Sequence, residues 1–151
     1  MLPKWHILTG VIFSILVYLL FHLTPLQTTI IFLSSILIDF DHYLYYAFKK
    51  KDFNPINAYH WLVKRRKEWI GLSVNEREQY KKRIFIFHGI EFWILLLALS
   101  LVYNPLFFVL AGIFFHMLFD YIELIYLDSP LYQKFSQIYN HMKNKGKREF
   151  Q

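Results

Sequence analysis

Residues 26–48 read LQTTIIFLSSILIDFDHYLYYAF. No charge occurs between Leu26 and Ile38, and then Asp39, Asp41 and His42 fall within four residues. The apolar part has the composition of a membrane-spanning helix, which needs ~20 mostly apolar residues. Hydrocarbon strongly disfavours charge, so ionisable groups inside such a run mark function before packing. The setting of this stretch therefore decides both fold and chemistry.

Working outward, three more stretches of the same kind appear, at about 5–23, 84–103 and 106–127. Pro25 separates the first from the second, and Asn104-Pro105 reverses the chain between the third and fourth. With 56% hydrophobic and 21% aromatic residues in 151, the chain is too apolar for an ordinary soluble domain. The reading is an all-α polytopic membrane protein: one transmembrane domain over 1–151, a four-helix bundle. Its middle loop, 49–83, carries a short amphipathic cytoplasmic helix, and 128–151 is a cytoplasmic tail. The first apolar run is too long for a cleavable signal, and no small-residue cleavage site follows it. Cysteine is absent, which excludes disulfides and thiolate metal sites.

All 17 basic residues lie on one side of this topology: Lys4, eleven between Lys49 and Arg83, and five in the tail. The hairpins HLTPLQ and VYNPL contain none. Basic residues are retained in the cytoplasm, so both termini and the middle loop are placed there, in a plasma (inner) membrane. The net charge of +6 is thereby a topology signal that also favours anionic head groups at the loop. It argues against nucleic acid as a partner and leaves a protein partner open. In the loop, NAYHWLVKRRKEW (57–69) interleaves aromatics with bases as an interfacial helix does. Ser73 and Glu76 have capping-box spacing, which predicts a further helix running into the third span. His60 and His141 read as interfacial and solvated, and His22 as a residue of the outer turn.

This topology gathers the remaining ionisable groups at one level. Asp39 and His42 are three apart, as are His88 and Glu91; His116 and Asp120 are four apart, and Glu123 extends their stripe. Such neighbours share a helical face. Asp41 sits about 200° from Asp39 on an ideal helix, so both serve one site only if the helix unwinds or two metals are present. Gly112, one turn before His116, permits close helix approach. Imidazole with carboxylate and no thiolate suits zinc, iron or manganese. Taken singly, each group also has a plain structural reading: a packed histidine, an Asp39–His42 hydrogen bond, a Glu91 pair with Lys82 or Arg83.

DFDH (39–42), RIFIFH (83–88) and GIFFHMLFD (112–120), with His6 and Gly10, also resemble a known family. It is the LexA-binding, inner-membrane-associated metal-dependent hydrolase family of prokaryotes. The resemblance covers the four spans in order. Ile38 stands where that family has proline, Ile84 and Phe85 follow Arg83 where its pattern differs, Phe87 stands for threonine and Gly89 for serine. The ligand order is also similar to that of zinc-dependent phospholipases C. Together these imply metal-dependent hydrolysis of a phosphoester or similar bond in a membrane lipid or lipid-linked phosphate. The expected cofactor is one or two divalent ions, zinc first, manganese or iron as alternatives. The expected ligands are His6, Asp39, His42, His88, His116 and Asp120. Asp41, Glu91 or Glu123 is the bridging ligand or general base, and Lys82 and Arg83 bind the phosphate. A di-iron redox enzyme, a metal-ion carrier and a non-enzymatic scaffold that holds a cytosolic partner on the basic loop stand as alternatives.

Overall fold

The computed structural model describes residues 3–150, and among them the regular structure is helical. The helices are α1 (Pro3–Phe21), α2 (Pro25–Leu37), α3 (Phe40–Lys50), α4 (Pro55–Gly71) and α5 (Val74–Gln79). A 3₁₀ turn at Ile86–His88 follows, then α6 (Ile90–Ser100), α7 (Pro105–Tyr126), α8 (Tyr132–Phe135) and α9 (Gln137–Lys143). The chain gathers into two compact units. The first comprises 1–38 and 90–123, the second 39–89 and 124–151.

In the first unit, α1 and α2 form a hairpin around a punctuated turn. His22 takes φ 50°, and Thr24 then caps α2 in a reciprocal box with Gln27, with Pro25 at the first helical position. Proline fits there because that N–H has no intrahelical partner. Lys4–Phe21 and Pro105–Tyr126 are long and apolar enough to cross a membrane. Only 17% and 28% of their apolar windows are buried, so Leu8, Ile12, Ile15, Leu19 and Phe114 present bare hydrocarbon. A soluble core helix would cover such a face.

α7 meets α2 at backbone distance. A Cβ placed on Gly112 would lie 2.1 Å from Ser34 Oγ and 2.3 Å from the Ile31 carbonyl oxygen. Gly10 of α1 approaches Ser35 Oγ in the same way, at 2.6 Å. Phe13 stacks on Phe115 with centroids 3.8 Å apart.

Two of the four expected spans are interrupted. The stretch 26–48 breaks at Ile38–Asp39, leaving helices of 13 and 11 residues. At 1.5 Å per residue the 13-residue piece is only ~20 Å long, short of a ~30 Å hydrocarbon core. At the break the Asp39 side chain makes no cap hydrogen bond to α3, and its carboxylate faces two imidazoles instead. The stretch 84–103 is helical only from Ile90 to Ser100.

In the second unit the expected amphipathic helix is α4, capped by Asn54 with Pro55 first. The Ser73–Glu76 capping box is also present, but α5 ends at Gln79 and residues 80–85 contain no helix. The reason lies in the tail. Asn144 brackets Lys82, accepting from its N–H at 2.8 Å and donating to its carbonyl at 2.7 Å. Asn140 Nδ2 donates to the Arg83 carbonyl at 2.9 Å, and Gln137 Oε1 accepts from Phe85 N–H at 3.0 Å. Tyr80 pairs with Arg148 as an isolated parallel bridge. Three side-chain amides from the C-terminal segment thus satisfy a backbone that helix formation would have paired internally. Arg77, buried on α5, ties the same region by donating to the Leu127 carbonyl at 2.7 Å and the Leu72 carbonyl at 3.1 Å.

Candidate metal centre

Each unit holds a set of histidines and aspartates that its own helices bring together. In the first unit, His6 near the start of α1 meets His116 and Asp120 of α7. The two imidazoles stack with centroids 3.9 Å apart. Asp120 Oδ1 lies 3.5 Å from His6 Nε2, and its Oδ2 lies 3.2 Å from His116 Nε2. All three residues are buried, at 3%, 1% and 1% exposure.

His116 Nδ1 donates to the Ser35 carbonyl at 2.8 Å, a bond that the close approach at Gly112 makes reachable. A carbonyl cannot donate, so the Nδ1 proton is assigned and the Nε2 lone pair is turned toward Asp120. A lone pair facing a carboxylate is repulsive unless a proton or a cation lies between them. Metal-binding histidines are held in this way, with the second ring nitrogen on a carbonyl or carboxylate.

The second unit repeats the logic with Asp39, Asp41, His42 and His88. Asp39 Oδ1 lies 3.6 Å from His42 Nε2 and 3.5 Å from His88 Nε2. His88 Nδ1 lies 3.1 Å from Asp41 Oδ2, which also accepts from the Phe87 N–H at 3.4 Å. The turn at Ile38–Asp39, where the helix is interrupted, presents Asp39 to the set, and the 3₁₀ turn delivers His88. Phe85 stacks on the His42 ring at 3.8 Å and holds it.

Separations of 3.5, 3.5 and 3.6 Å are long for hydrogen bonds. They match ligands sharing an ion: two atoms ~2.0–2.1 Å from a tetrahedral zinc lie ~3.3 Å apart. Asp39, His42 and His88 each offer one ligand atom within 4.8 Å of the others. These buried histidine and aspartate groups could hold a metal ion. The two sets differ in access. His6, His116 and Asp120 are sealed, whereas the side chains of Asp39 and His42 are 22% and 25% exposed.

All six expected ligands thus fall in one or other set. Asp41 joins the same set despite its angle from Asp39 on an ideal helix: it is buried, with Oδ2 3.1 Å from His88 Nδ1 and Oδ1 3.8 Å from His42 Nε2. Glu91 lies in the first turn of α6 and Glu123 near the end of α7, both half-buried. Lys82, expected to meet phosphate, is buried: its ammonium donates to the Arg77 carbonyl at 2.8 Å and pairs with Glu78 at 3.1 Å. Burial pulls that ammonium below its ordinary pKa. His22, His60 and His141 are exposed, as expected. Sequence spacing missed the Ser35 carbonyl, for which no residue type is a signal. It also missed Asn140 and Asn144, although two asparagines four apart on a C-terminal helix are a recognisable amide ladder.

The role of Asp41 is open to a direct test. Asp41→Asn should weaken metal binding by ~10–100-fold, the usual cost of losing a carboxylate behind a metal-binding histidine, and turnover should recover at saturating metal. Lost turnover at full metal occupancy would instead make Asp41 the general base.

No family model, curated protein or solved structure matches this chain.

Proposed function

We propose that the protein is a multi-pass membrane hydrolase of the plasma membrane that uses one or two divalent ions, zinc first. Its substrate would be a phosphoester or similar bond of a lipid or lipid-linked phosphate at the cytoplasmic leaflet. The observation that carries this reading is the arrangement of Nε2 atoms around Asp120 and Asp39, each set backed by a group that fixes the ring. His6, His116 and Asp120 would hold one ion; Asp39, His42 and His88 would hold a second or serve as its alternative. A bound divalent ion would polarise the scissile bond and lower the pKa of water toward neutrality. The chain's own part is to fix the imidazoles, through Ser35 and Asp41, and to keep one set sealed from bulk water. The motif resemblance supports a hydrolase over a redox enzyme, and the bare apolar faces of α1 and α7 support the membrane.

Two measurements test the proposal. Detergent-purified protein should carry bound zinc, manganese or iron by elemental analysis and should cleave a chromogenic phosphodiester in a chelator-sensitive way. Metal-free protein of full activity would end the reading, and a visible iron absorption band with redox turnover would replace it by the di-iron alternative. Topology is checked separately. Reporters at either terminus and in 49–83 should read cytoplasmic, and one at Asn104-Pro105 should read external. A loop tag cut by protease added to intact cells would overturn the arrangement.

A further inference from the structure

Away from the histidines, the second unit carries two arginines around one indole. The Arg83 guanidinium carbon lies 5.2 Å from the Trp61 ring centroid and 5.4 Å from that of Tyr45. The Arg65 guanidinium carbon lies 5.4 Å from the same indole and 4.2 Å from the Phe150 ring. Among the described residues the Arg83 guanidinium makes no hydrogen bond and no ion pair, only these two ring contacts. Arg65 is 4% exposed. It donates to the Phe150 carbonyl; among the described residues it pairs with one carboxylate, Glu68 at 4.0 Å, and its Nε has no hydrogen-bond partner. Burial, reinforced by the charge of Arg65, pulls Arg83 below its ordinary pKa.

Among the described residues, two guanidiniums near one ring face a single carboxylate at the limit of ion-pair distance, a marked excess of positive charge. Guanidinium is always protonated, so it cannot relieve this by losing its proton as a lysine would. The matching partner is a planar-forked or tetrahedral oxyanion, which guanidinium binds in bidentate fashion. Arg83 is half-buried and therefore reachable. Its backbone is fixed by Asn140 on its own carbonyl and by Asn144 on Lys82, so its side chain starts from a rigid base. The Phe150 carbonyl already occupies one donor of Arg65, as an oxygen of such an anion would. Lys82, next in sequence, is committed to Arg77 and Glu78 and contributes no donor.

We propose that Arg83 and Arg65, walled by Trp61 and Tyr45, bind a phosphate group, with Arg83 making the direct bidentate contact. The group is either the head group of an anionic lipid or a soluble phosphate. The site deepens the hydrolase reading by placing the substrate's phosphate-recognition element in the second unit, but it needs no metal.

The experiment therefore uses full-length, chelator-treated protein in detergent, titrated with inorganic phosphate and pyrophosphate by calorimetry. Saturable binding is expected. Arg83→Gln should weaken it by ~10–100-fold, the loss of one or two charge-assisted hydrogen bonds. Arg83→Lys should fall between, keeping charge but not the fork. Arg65→Gln should weaken binding several-fold, and Lys81→Gln, whose ammonium pairs with Glu149 at 3.0 Å, should leave it unchanged. Circular dichroism confirms that each variant is folded. A second arm uses nanodiscs of phosphatidylcholine with and without phosphatidic acid. Competition by phosphatidic acid identifies a lipid head group; undiminished phosphate binding identifies a soluble source. Absence of phosphate binding in chelated protein, or equal binding by Arg83→Gln and wild type, overturns the site. Neither result depends on metal content or turnover, so failure here leaves the metal reading to its own test.

Discussion

His116→Ala should lower metal affinity by at least ~100-fold and abolish chelator-sensitive turnover while the protein still inserts. His116 is 1% exposed, and its Nε2 stands 3.2 Å from Asp120. Losing a group behind a ligand already costs ~10–100-fold, so losing the ligand sets a floor at the top of that range. A cavity also remains where the ring stacked on His6, which adds a destabilisation of ~2–4 kcal/mol. The effect on metal is separable from that on folding because His22→Ala, at an exposed position in the turn before α2, should change neither. Elemental analysis and a melting curve on both variants decide the matter. Equal metal in the two would remove the first unit's histidines from the site.

The second large effect is expected at Gly112. A methyl there would lie 2.3 Å from the Ile31 carbonyl oxygen, which is backbone and cannot rotate away, and 3.1 Å from Ser35 N. Gly112→Ala should therefore force α7 off α2 and cost at least ~1–3 kcal/mol, the usual range for overpacking a tight core. The same displacement would stretch the bond from His116 Nδ1 to the Ser35 carbonyl, so metal affinity should fall in step with stability. Gly10→Ala is the control. The clash there is with Ser35 Oγ at 2.6 Å, a hydroxyl that can turn to another rotamer. Its melting temperature should move much less. Comparable losses at both positions would mean that small size alone, not the backbone crossing, is what the bundle needs.

Much of the candidate centre was legible because helical spacing is a property of sequence. His116 and Asp120 are four apart and face the same way in α7, and Asp39, the N-cap of α3, stays within reach of His42 in that helix's first turn. The stretch around Asp39 and Asp41 was legible only as alternatives. An ideal helix sends the two carboxylates in opposite directions, and nothing local says whether it will break. Arg65 and Arg83 were legible as bases of the basic loop 49–83, but not as near neighbours of one indole, since they lie 18 positions apart in the chain.

Sequence alone determined the helical class, the apolar runs among which two form helices long enough to cross a membrane, the capping box at Ser73, and the donor types of the site. These follow from hydrophobic runs, side-chain oxygens at cap positions and the absence of cysteine, all of which act over a few residues. Only the tertiary structure decided where the runs fail to be single helices. Residues 80–85 stay extended because Asn140, Asn144 and Gln137, more than 50 positions away, satisfy their backbone, and α5 stops at Gln79 in consequence. The tertiary fold also decided that Lys82 is turned inward while Arg83 has no carboxylate partner among the described residues, and that Asp41 stands against His88. A polar group's role depends on which partner reaches it first, and that partner is chosen by packing between elements distant in the chain.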